Sequence, residues 1–252
     1  MALSTNSVIH YTKKIENLSS IISDKSFKIK YCNENLDCIT KSNSHFAINM
    51  VSFCDIPLSD VKNHIDSYGS FGIGLTKSWA KNKGLNPVMY IEENSKLTKN
   101  YHKQFDRLLN SNEKEMDIHQ DFIDDFFEFC KYLKLYEGPL KTGKVNSDNY
   151  RFYDEREWRY CLSGEDLKEE EFSAILLSKE YNKNRDEYNQ KLIKFRLEFD
   201  FNDISYLIVD DESEIPELIK CIENSFEDDC TAKQLKILST KILTKNQICN
   251  DF

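Results

Sequence analysis

Two short polar motifs hold the residues whose types and spacing suit chemistry. HYT lies near the start of the chain, and EREWRY lies beyond its middle. Side chains alternate along a strand, so His10 and Thr12 would point to one face of a first strand, and Glu155, Glu157 and Arg159 to one face of a later strand. A histidine bonded to a ribose hydroxyl, with a glutamate opposite it, suits cleavage of an N-glycosidic bond, because a carboxylate stabilises the oxocarbenium-like centre that the departing base leaves.

Aromatic residues beside a glycine could complete such a site. Tyr68 and Phe71 lie close to Gly69, where the backbone can approach a ligand, and their rings could stack on a base. Each motif also has a structural interpretation. His10 could be a hydrogen-bonded core histidine, EREWRY a ladder of ion pairs around a core Trp158, and the Tyr-Gly pair a turn. Composition and spacing leave both interpretations open.

The hydropathy pattern predicts the elements that must position these residues. Strands are predicted at residues 8–12, 47–56, 70–75, 87–91, 157–163, 172–178, 191–199 and 204–210. Helices are predicted at residues 14–23, 58–67 and 214–225, with a helical insertion at about 95–135 and a loop at 136–150. There is no internal repeat and no long linker, so the pattern favours one α+β domain over two domains.

The composition predicts a folded, acidic protein. The chain has 252 residues, a formal net charge of −9, 40% hydrophobic residues and 12% aromatic residues. That aromatic content can build a core that a disordered chain could not. No apolar run approaches the ~20 residues of a membrane-spanning helix, and the N-terminus lacks the apolar stretch of a signal peptide, so we expect a cytoplasmic protein without a membrane partner. The acidic balance argues against bulk nucleic-acid binding but leaves open a nucleic-acid substrate at a small site.

Several familiar motifs are incomplete in this chain. GPLKTGK at residues 138–144 opens like a phosphate-binding loop, but Val145 stands where a Ser or Thr must hold Mg²⁺. GSFGIG has its glycines in the wrong order for a dinucleotide fingerprint. Cys32 and Cys38 with His45 match no common zinc spacing. The sequence therefore predicts no metal site, and cysteines that are reduced and structural.

Longer segments of the chain carry a family pattern. These are HYT, ENLSSII, MVSFCDIPLSDVKNHIDSYGSFGIGLTKSWAKNKGLNPVMYI, EREWRYC and LEFDFNDISYLIVDDESEI, which cover about the first 95 residues and residues 150–250. Together they resemble the AbiGi family of bacterial abortive-infection proteins. The resemblance implies one half of a toxin–antitoxin pair that stops phage growth by disabling the host cell. The AbiGi half is the antitoxin by its family label, so the implied partner is a cognate toxin or antitoxin protein.

A more distant resemblance bears on mechanism. An H-x-T on the first strand, a hydrophobic strand that leads into a helix, and a late Glu that opens another strand are similar to DarT-type ADP-ribosyltransferases. The likeness implies an ADP-ribosyltransferase-like fold with a mixed or antiparallel β core. FCDIPL departs from that pattern, because an Arg-containing loop is expected there. The implied roles are NAD⁺ binding by His10 and Thr12, contact with the nicotinamide by Tyr68 or Phe71, and catalysis by Glu157, with Glu155 as its rival on the same face.

The leading prediction is therefore a single domain over residues 1–252 that acts in anti-phage defence. Its activity would be NAD-dependent ADP-ribosyl transfer to a nucleic acid or a protein. The alternative is a catalytically silent antitoxin, or binding module, with the same fold. Catalysis requires a carboxylate, and the presence of His10, Thr12 and Glu157 together favours activity over silence. A nuclease or metal hydrolase lacks a credible cluster of ligands.

Overall fold

Helices and strands are mixed along the chain in the computed structural model, which describes residues 4–40, 45–109, 124–142, 145–170 and 172–251. The strands are β1 Ser7–Thr12, β2 Ser26–Lys28, β3 Lys30–Glu34, β4 Phe46–Cys54, β5 Phe71–Thr76, β6 Asn86–Pro87, β7 Met89–Ile91, β8 Leu133–Leu135, β9 Gly138–Thr142, β10 Val145–Tyr150, β11 Glu157–Tyr160, β12 Ile175–Leu177, β13 Arg196–Glu198, β14 Ile204–Val209 and β15 Ile242–Thr244. The α-helices are α1 Ile15–Asp24, α2 Asp37–Thr40, α3 Lys62–Tyr68, α4 Lys77–Asn82, α5 Lys96–Leu109, α6 at 124–130, α7 Ser178–Tyr181, α8 Arg185–Lys191, α9 Ile215–Phe226, α10 Ala232–Ser239 and α11 Lys245–Asp251. This content confirms the α+β class.

The main sheet is mixed. Its strands follow the order β15-β14-β5-β1-β4-β11-β6, and β3 and β12 also pair with β4. β14 and β15 run parallel, whereas β1 runs antiparallel to both β4 and β5. The central strands β1, β4 and β5 are buried along almost their whole length. Their near-continuous apolar sequences suit strands that are covered on both faces.

The central strands separate two hydrophobic layers. Val8 and Phe53 belong to the layer that packs against α1 and α9, whereas Ile9 and Cys54 belong to the layer that packs against α3 and α11. Ile9 and Cys54 are cross-strand partners, and Cys54 also pairs with Glu157. Alternation therefore places Glu157 on the α3 side of the sheet and His10 on the α1 side.

Two sequence predictions of local structure are wrong. Residues 136–150 are not a loop, because β9 and β10 form an antiparallel hairpin there. Half-buried and exposed positions alternate along both strands, so one face of the hairpin packs on the protein while polar side chains face water. Residues 191–199 are not one strand. Helix α8 continues to Lys191, which stabilises the C-terminal end of the helix dipole, and β13 is only three residues long.

The helical insertion is present in part. Helices α5 and α6 lie within the predicted range, which ends in strand β8, and residues 110–123 lie outside the described residues. β8 pairs in parallel with β7; Leu133 and Lys134 are buried, and Leu135 is half-buried. In the part of the chain that the structure describes, no helix is long and apolar enough to cross a membrane. The ADP-ribosyltransferase-like fold and the single domain stay predictions.

Candidate functional site

A cavity of about 450 Å³ lies beside the Ile9–Cys54 pair that joins β1 to β4. This volume is within the range of small-molecule pockets. Helix α3, strand β8, the β9–β10 hairpin and the start of β11 all contribute to its wall. The side chains that matter most for its chemistry are those of His10, Glu34, His64, Tyr68, Lys134, Leu140, Phe152, Glu155 and Glu157.

Lys134 joins the two predicted catalytic carboxylates. Its Nζ lies 2.6 Å from Glu155 Oε2 and 2.5 Å from Glu157 Oε2. Glu155 does not lie on the strand with Glu157, because it ends a short 3₁₀-helix, Phe152–Glu155, just before β11. Arg156 lies between them in the left-handed region at φ 45°, and this turn brings both carboxylates to the same ammonium. The structure therefore brings the two predicted glutamates together through a lysine.

Arg159 holds Glu157 from the other side. Its Nε donates to Glu157 Oε1 at 2.7 Å, and its Nη2 donates to Glu34 Oε1 at 2.8 Å. Nη1 donates to the Lys131 carbonyl oxygen at 2.8 Å. Arg159 is 0% exposed and Glu157 only 6% exposed. Ion pairs at this depth are stable only when the remaining donors and acceptors are also satisfied, and the guanidinium fulfils that condition here.

The surroundings of the two carboxyl groups shift their pKa values in opposite directions. Burial raises the pKa of Glu155, and Lys134 offsets only part of that rise. Burial also favours the neutral form of Glu157, but Arg159 and Lys134 together lower its pKa to about 2. Burial acts to lower the pKa of Lys134, yet the two carboxylates raise it well above its usual range. Glu157 is therefore an anion at neutral pH, whereas Glu155 is the carboxyl group of the pair that takes up a proton more readily.

Two stacked rings from α3 form another part of the wall. The rings of His64 and Tyr68 lie 4.5 Å apart at an angle of 34°. Tyr68 Oη donates to Glu155 Oε1 at 2.5 Å, so the predicted nicotinamide contact is also a partner of the carboxylate cluster. Burial lowers the pKa of His64 to about 3, and the Lys134 charge adds to that effect, so the imidazole is neutral at pH 7.

His10 borders the cavity from the α1 side of the sheet. Its Nδ1 lies 2.8 Å from the Ser52 carbonyl oxygen, within hydrogen-bond distance. Its ring meets those of Phe27 and Phe53 edge to face, at 5.2 and 5.7 Å. Burial lowers the pKa of this histidine, so it is also neutral. These contacts support the structural interpretation of His10, which is one of the two that the sequence left open. His10 and Glu157 nevertheless both line the cavity.

Thr12 and Phe71 lie elsewhere. Thr12 Oγ1 accepts from Asn17 Nδ2 at 2.8 Å, and Thr12 lines a neighbouring cavity of about 340 Å³ that also includes His10 and Lys28. Phe71 is buried in the hydrophobic layer on the α1 side, opposite Thr12 in the β1–β5 register. Tyr68 and Phe71 thus face different surroundings. The cavity brings together four of the predicted residues: His10, Tyr68, Glu155 and Glu157.

Sequence reasoning missed Lys134, His64 and Glu34. Lys134 lies in a stretch that the sequence predicts to be helical, where a lysine is ordinarily solvated, but it is buried on β8, which pairs with β7. His64 could have been found from its i, i+4 spacing to Tyr68 on a predicted helix, since that spacing stacks two rings on one face. Among the described residues, no group of three or more His, Cys, Asp or Glu side chains could hold a metal ion.

Comparison with known proteins assigns the chain to a family. The family described as "Putative abortive phage resistance protein AbiGi, antitoxin" matches residues 25–210. The chain belongs to this family, which confirms the AbiGi resemblance. A relative from Lactococcus lactis subsp. cremoris, "Abortive phage resistance protein AbiGi", is 29% identical over 255 residues, which cover 90% of this chain and 100% of the relative. No solved structure matches the chain. The DarT-type resemblance stays a prediction.

Proposed function

We propose that this protein is the antitoxin of an abortive-infection pair and acts against phage by binding a cognate toxin protein. The family description and the name of the relative support this role. The observation that carries the proposal is the engagement of both Glu157 oxygens by buried cations: Oε1 by Arg159 and Oε2 by Lys134. A binding module needs no reactive carboxylate, so Glu157 can serve the fold alone.

The same observation argues against Glu157 as a catalyst. A carboxylate that stabilises a cationic transition state must direct its charge at the substrate. Here that charge is neutralised by two cations at 2.5 and 2.7 Å, and the group is almost completely buried. Freeing it would leave the buried Arg159 with Glu34 as its carboxylate partner and the buried Lys134 with Glu155, and the loss of an ion pair from each cation is costly inside the protein. The network therefore resembles a structural ion-pair cluster more than a reactive centre.

A growth assay tests the antitoxin proposal. The chain and the gene product encoded next to it are expressed separately and together, each from its own inducible promoter. We expect the neighbour to stop growth, the chain alone to be harmless, and co-expression to restore growth. The variant Trp79→Asp, which places a charge in the core, is the control for a chain that cannot fold. Toxicity of the chain alone would contradict the proposal.

The NAD-dependent ADP-ribosyltransferase is a second candidate, favoured by one observation. The two cavities meet at His10, Cys32, Met50 and Ser52, which line both. One cavity holds the carboxylate cluster, and the other holds Lys28 and Lys30. This charge distribution fits a dinucleotide with a cationic ring at one end and phosphates in the middle.

The residues present are thus compatible with NAD⁺. His10 and Thr12 would hold it, Tyr68 would contact its ring, and bound NAD⁺ would supply the ADP-ribosyl group. Thermal unfolding tests this candidate, because a ligand that binds only the folded state raises the melting temperature. An increase with millimolar NAD⁺ that Thr12→Val reduces supports it. An unchanged melting temperature contradicts it.

A further inference from the structure

Strand β12 is paired on one side only. It runs antiparallel to β4, in the register that places Leu176 opposite Ala47. Among the described residues, no strand pairs with its other side. An unpaired strand edge presents backbone donors and acceptors at the spacing that another strand requires, and one mode of protein recognition adds a strand at such an edge. The free edge of β12 is therefore a candidate binding surface.

The pairing with β4 determines which backbone groups lie on the free edge. Asn49 N donates to the Ala174 carbonyl oxygen at 3.3 Å, and Ser178 N donates to the His45 carbonyl oxygen at 2.8 Å. Every second residue of an antiparallel strand bonds to the same neighbour, so residues 175 and 177 direct their backbone groups away from β4. In the part of the chain that the structure describes, the Leu177 N–H has no hydrogen-bond partner.

An apolar groove runs along this edge. It has a volume of about 370 Å³, and β12 itself forms one of its walls. Phe127 of α6 also lines it, as do Leu167 and Phe172 from the segment before β12. Leu177 is 50% exposed at its border. A groove of this kind beside an unpaired edge can bury the side chains of an added strand, which alternate between the two faces of the sheet.

The charges around the groove favour a basic partner. Of the described residues that line it, only Asp124 and Glu128 are charged, and both are acidic. The segment between β11 and β12 adds further exposed or half-buried acidic side chains, namely Glu165, Asp166, Glu169 and Glu170. The lysines that pair with members of this set are Lys131, Lys168 and Lys194, so acidic side chains remain in excess. A second copy of this chain would place the same acidic surface against itself, whereas a basic strand would be complementary.

We infer that the cognate toxin binds this edge by adding a basic β-strand to β12. A carbonyl oxygen of the added strand accepts from the Leu177 N–H, an N–H of that strand donates to the Ile175 carbonyl oxygen, and its apolar side chains enter the groove. The inference rests on the proposed antitoxin function and goes beyond it by naming the surface and the kind of segment that binds there. The groove shares no lining residue with the carboxylate cavity.

Affinity measurements with the purified product of the neighbouring gene test this inference. Leu177→Pro removes the outward N–H, and the φ of −66° at this position is the value that proline adopts, so the fold should tolerate the change. We expect this variant to bind about tenfold more weakly than the wild-type protein, or weaker still. The matched control is Leu177→Ala, which shortens the same side chain but keeps the N–H, so it should lose clearly less affinity. Circular dichroism checks that both variants are folded.

Each outcome has a distinct meaning. If the wild-type protein does not bind the neighbouring product, both the antitoxin proposal and this inference are overturned. Wild-type affinity in Leu177→Pro would overturn the inference alone. Equal losses in Leu177→Pro and Leu177→Ala would also overturn it, because they would indicate a side-chain contact without strand pairing. A wild-type dimer that Leu177→Pro dissociates, measured by light scattering, would assign the edge to a second copy and contradict the inference as well.

A charge substitution replaces Leu177→Pro if that variant does not fold. Leu177→Lys places a positive charge beside the basic strand, so it should weaken binding about tenfold. Its matched control is Ile237→Lys on α10, because Ile237 is 51% exposed and lies outside the groove. The control should bind like the wild-type protein. Equal affinity of the two lysine variants would contradict the inference.

Discussion

The two faces of β11 have opposite chemistry. Trp158 and Tyr160 pack against the apolar layer on the α1 side, whereas Glu157 lines the charged cavity and Arg159 forms a buried ion pair with it. Both Glu157 and Arg159 are more deeply buried than their apolar neighbours on the strand. The apolar face is stabilised by the apolar surface area that it removes from water. The charged face is stabilised by ion pairs, in which each buried charge needs its partners.

This difference predicts which residues tolerate substitution. On the apolar face, a small loss of packing costs in proportion to the area and volume removed. On the charged face, the loss of one member removes a counter-charge from another buried group. Four predictions sharpen this comparison, from the largest expected effect to the smallest.

Arg159→Met should have the largest effect. The change leaves Glu34 and Glu157 without their shared guanidinium at a fully buried position, which typically costs about 3–5 kcal/mol of unfolding free energy. Urea unfolding followed by circular dichroism measures the loss. Tyr160→Phe on the opposite face is the matched control and should cost less than about 1 kcal/mol. Similar losses for both variants would show that the charged face has no special role.

Glu157→Gln should destabilise the protein more than Glu155→Gln. Glu157 pairs with Arg159 and Lys134, and together these cations lower its pKa to about 2, whereas burial raises the pKa of Glu155. The neutral amide therefore replaces a favoured anion in one case and a carboxyl group closer to its neutral form in the other. We expect about 2–3 kcal/mol for Glu157→Gln and about half of that for Glu155→Gln. The reverse order in urea unfolding would contradict the assigned charges.

His64 should make stability depend on pH. Burial lowers its pKa from the ordinary 6.5 to about 3. Below pH 6.5 the unfolded chain therefore binds a proton at His64 that the folded protein does not bind. Its contribution is complete above pH 6.5 and is lost as the pH falls toward 3. Between pH 7 and pH 5.5 the loss is about 1 kcal/mol.

Urea unfolding of wild type and His64→Phe at both pH values isolates this effect. Other groups titrate in both proteins, so only the difference between their pH slopes reports on His64. The wild-type protein should lose more stability than the variant on acidification. Identical slopes would mean that the imidazole has the same pKa in the folded protein as in the unfolded chain.

His10→Phe should have the smallest effect. The substitution removes the hydrogen bond between the imidazole and the Ser52 carbonyl oxygen, but the phenyl ring can keep the edge-to-face contacts with Phe27 and Phe53. We expect a change of less than about 1 kcal/mol in thermal or urea unfolding. A loss comparable to that of Arg159→Met would mean that His10 belongs energetically to the charged face.

The sequence was most informative where local pattern and tertiary structure agree. The apolar runs predicted β1, β4, β5 and β14, and the period-two rule correctly placed Glu157 and Arg159 on one face. It failed for Glu155, because the left-handed turn at Arg156 changes the direction of the chain just before β11. The hydrophobic periodicity of a sequence gives no signal for a single residue with positive φ.

The partners of the glutamates were beyond local pattern. Lys134 meets Glu155 and Glu157 across more than twenty residues, and Glu34 meets Arg159 across 125 residues. Such contacts follow from the order of strands in the sheet, which hydropathy along the chain does not contain. The sequence therefore found the carboxylates and Arg159 but not Lys134, the cation that joins Glu155 to Glu157, and that difference alters the proposed function.

Incubation with NAD⁺ labelled in its adenylate phosphate tests the central claim, that Glu157 serves the fold and not catalysis. Purified wild-type protein and Glu157→Gln are each incubated with labelled NAD⁺ and a bacterial lysate, and both are first shown to be folded by circular dichroism. The account predicts no label in macromolecules and no nicotinamide release above the protein-free control, for either protein. Label that the wild-type protein transfers and folded Glu157→Gln does not would contradict it.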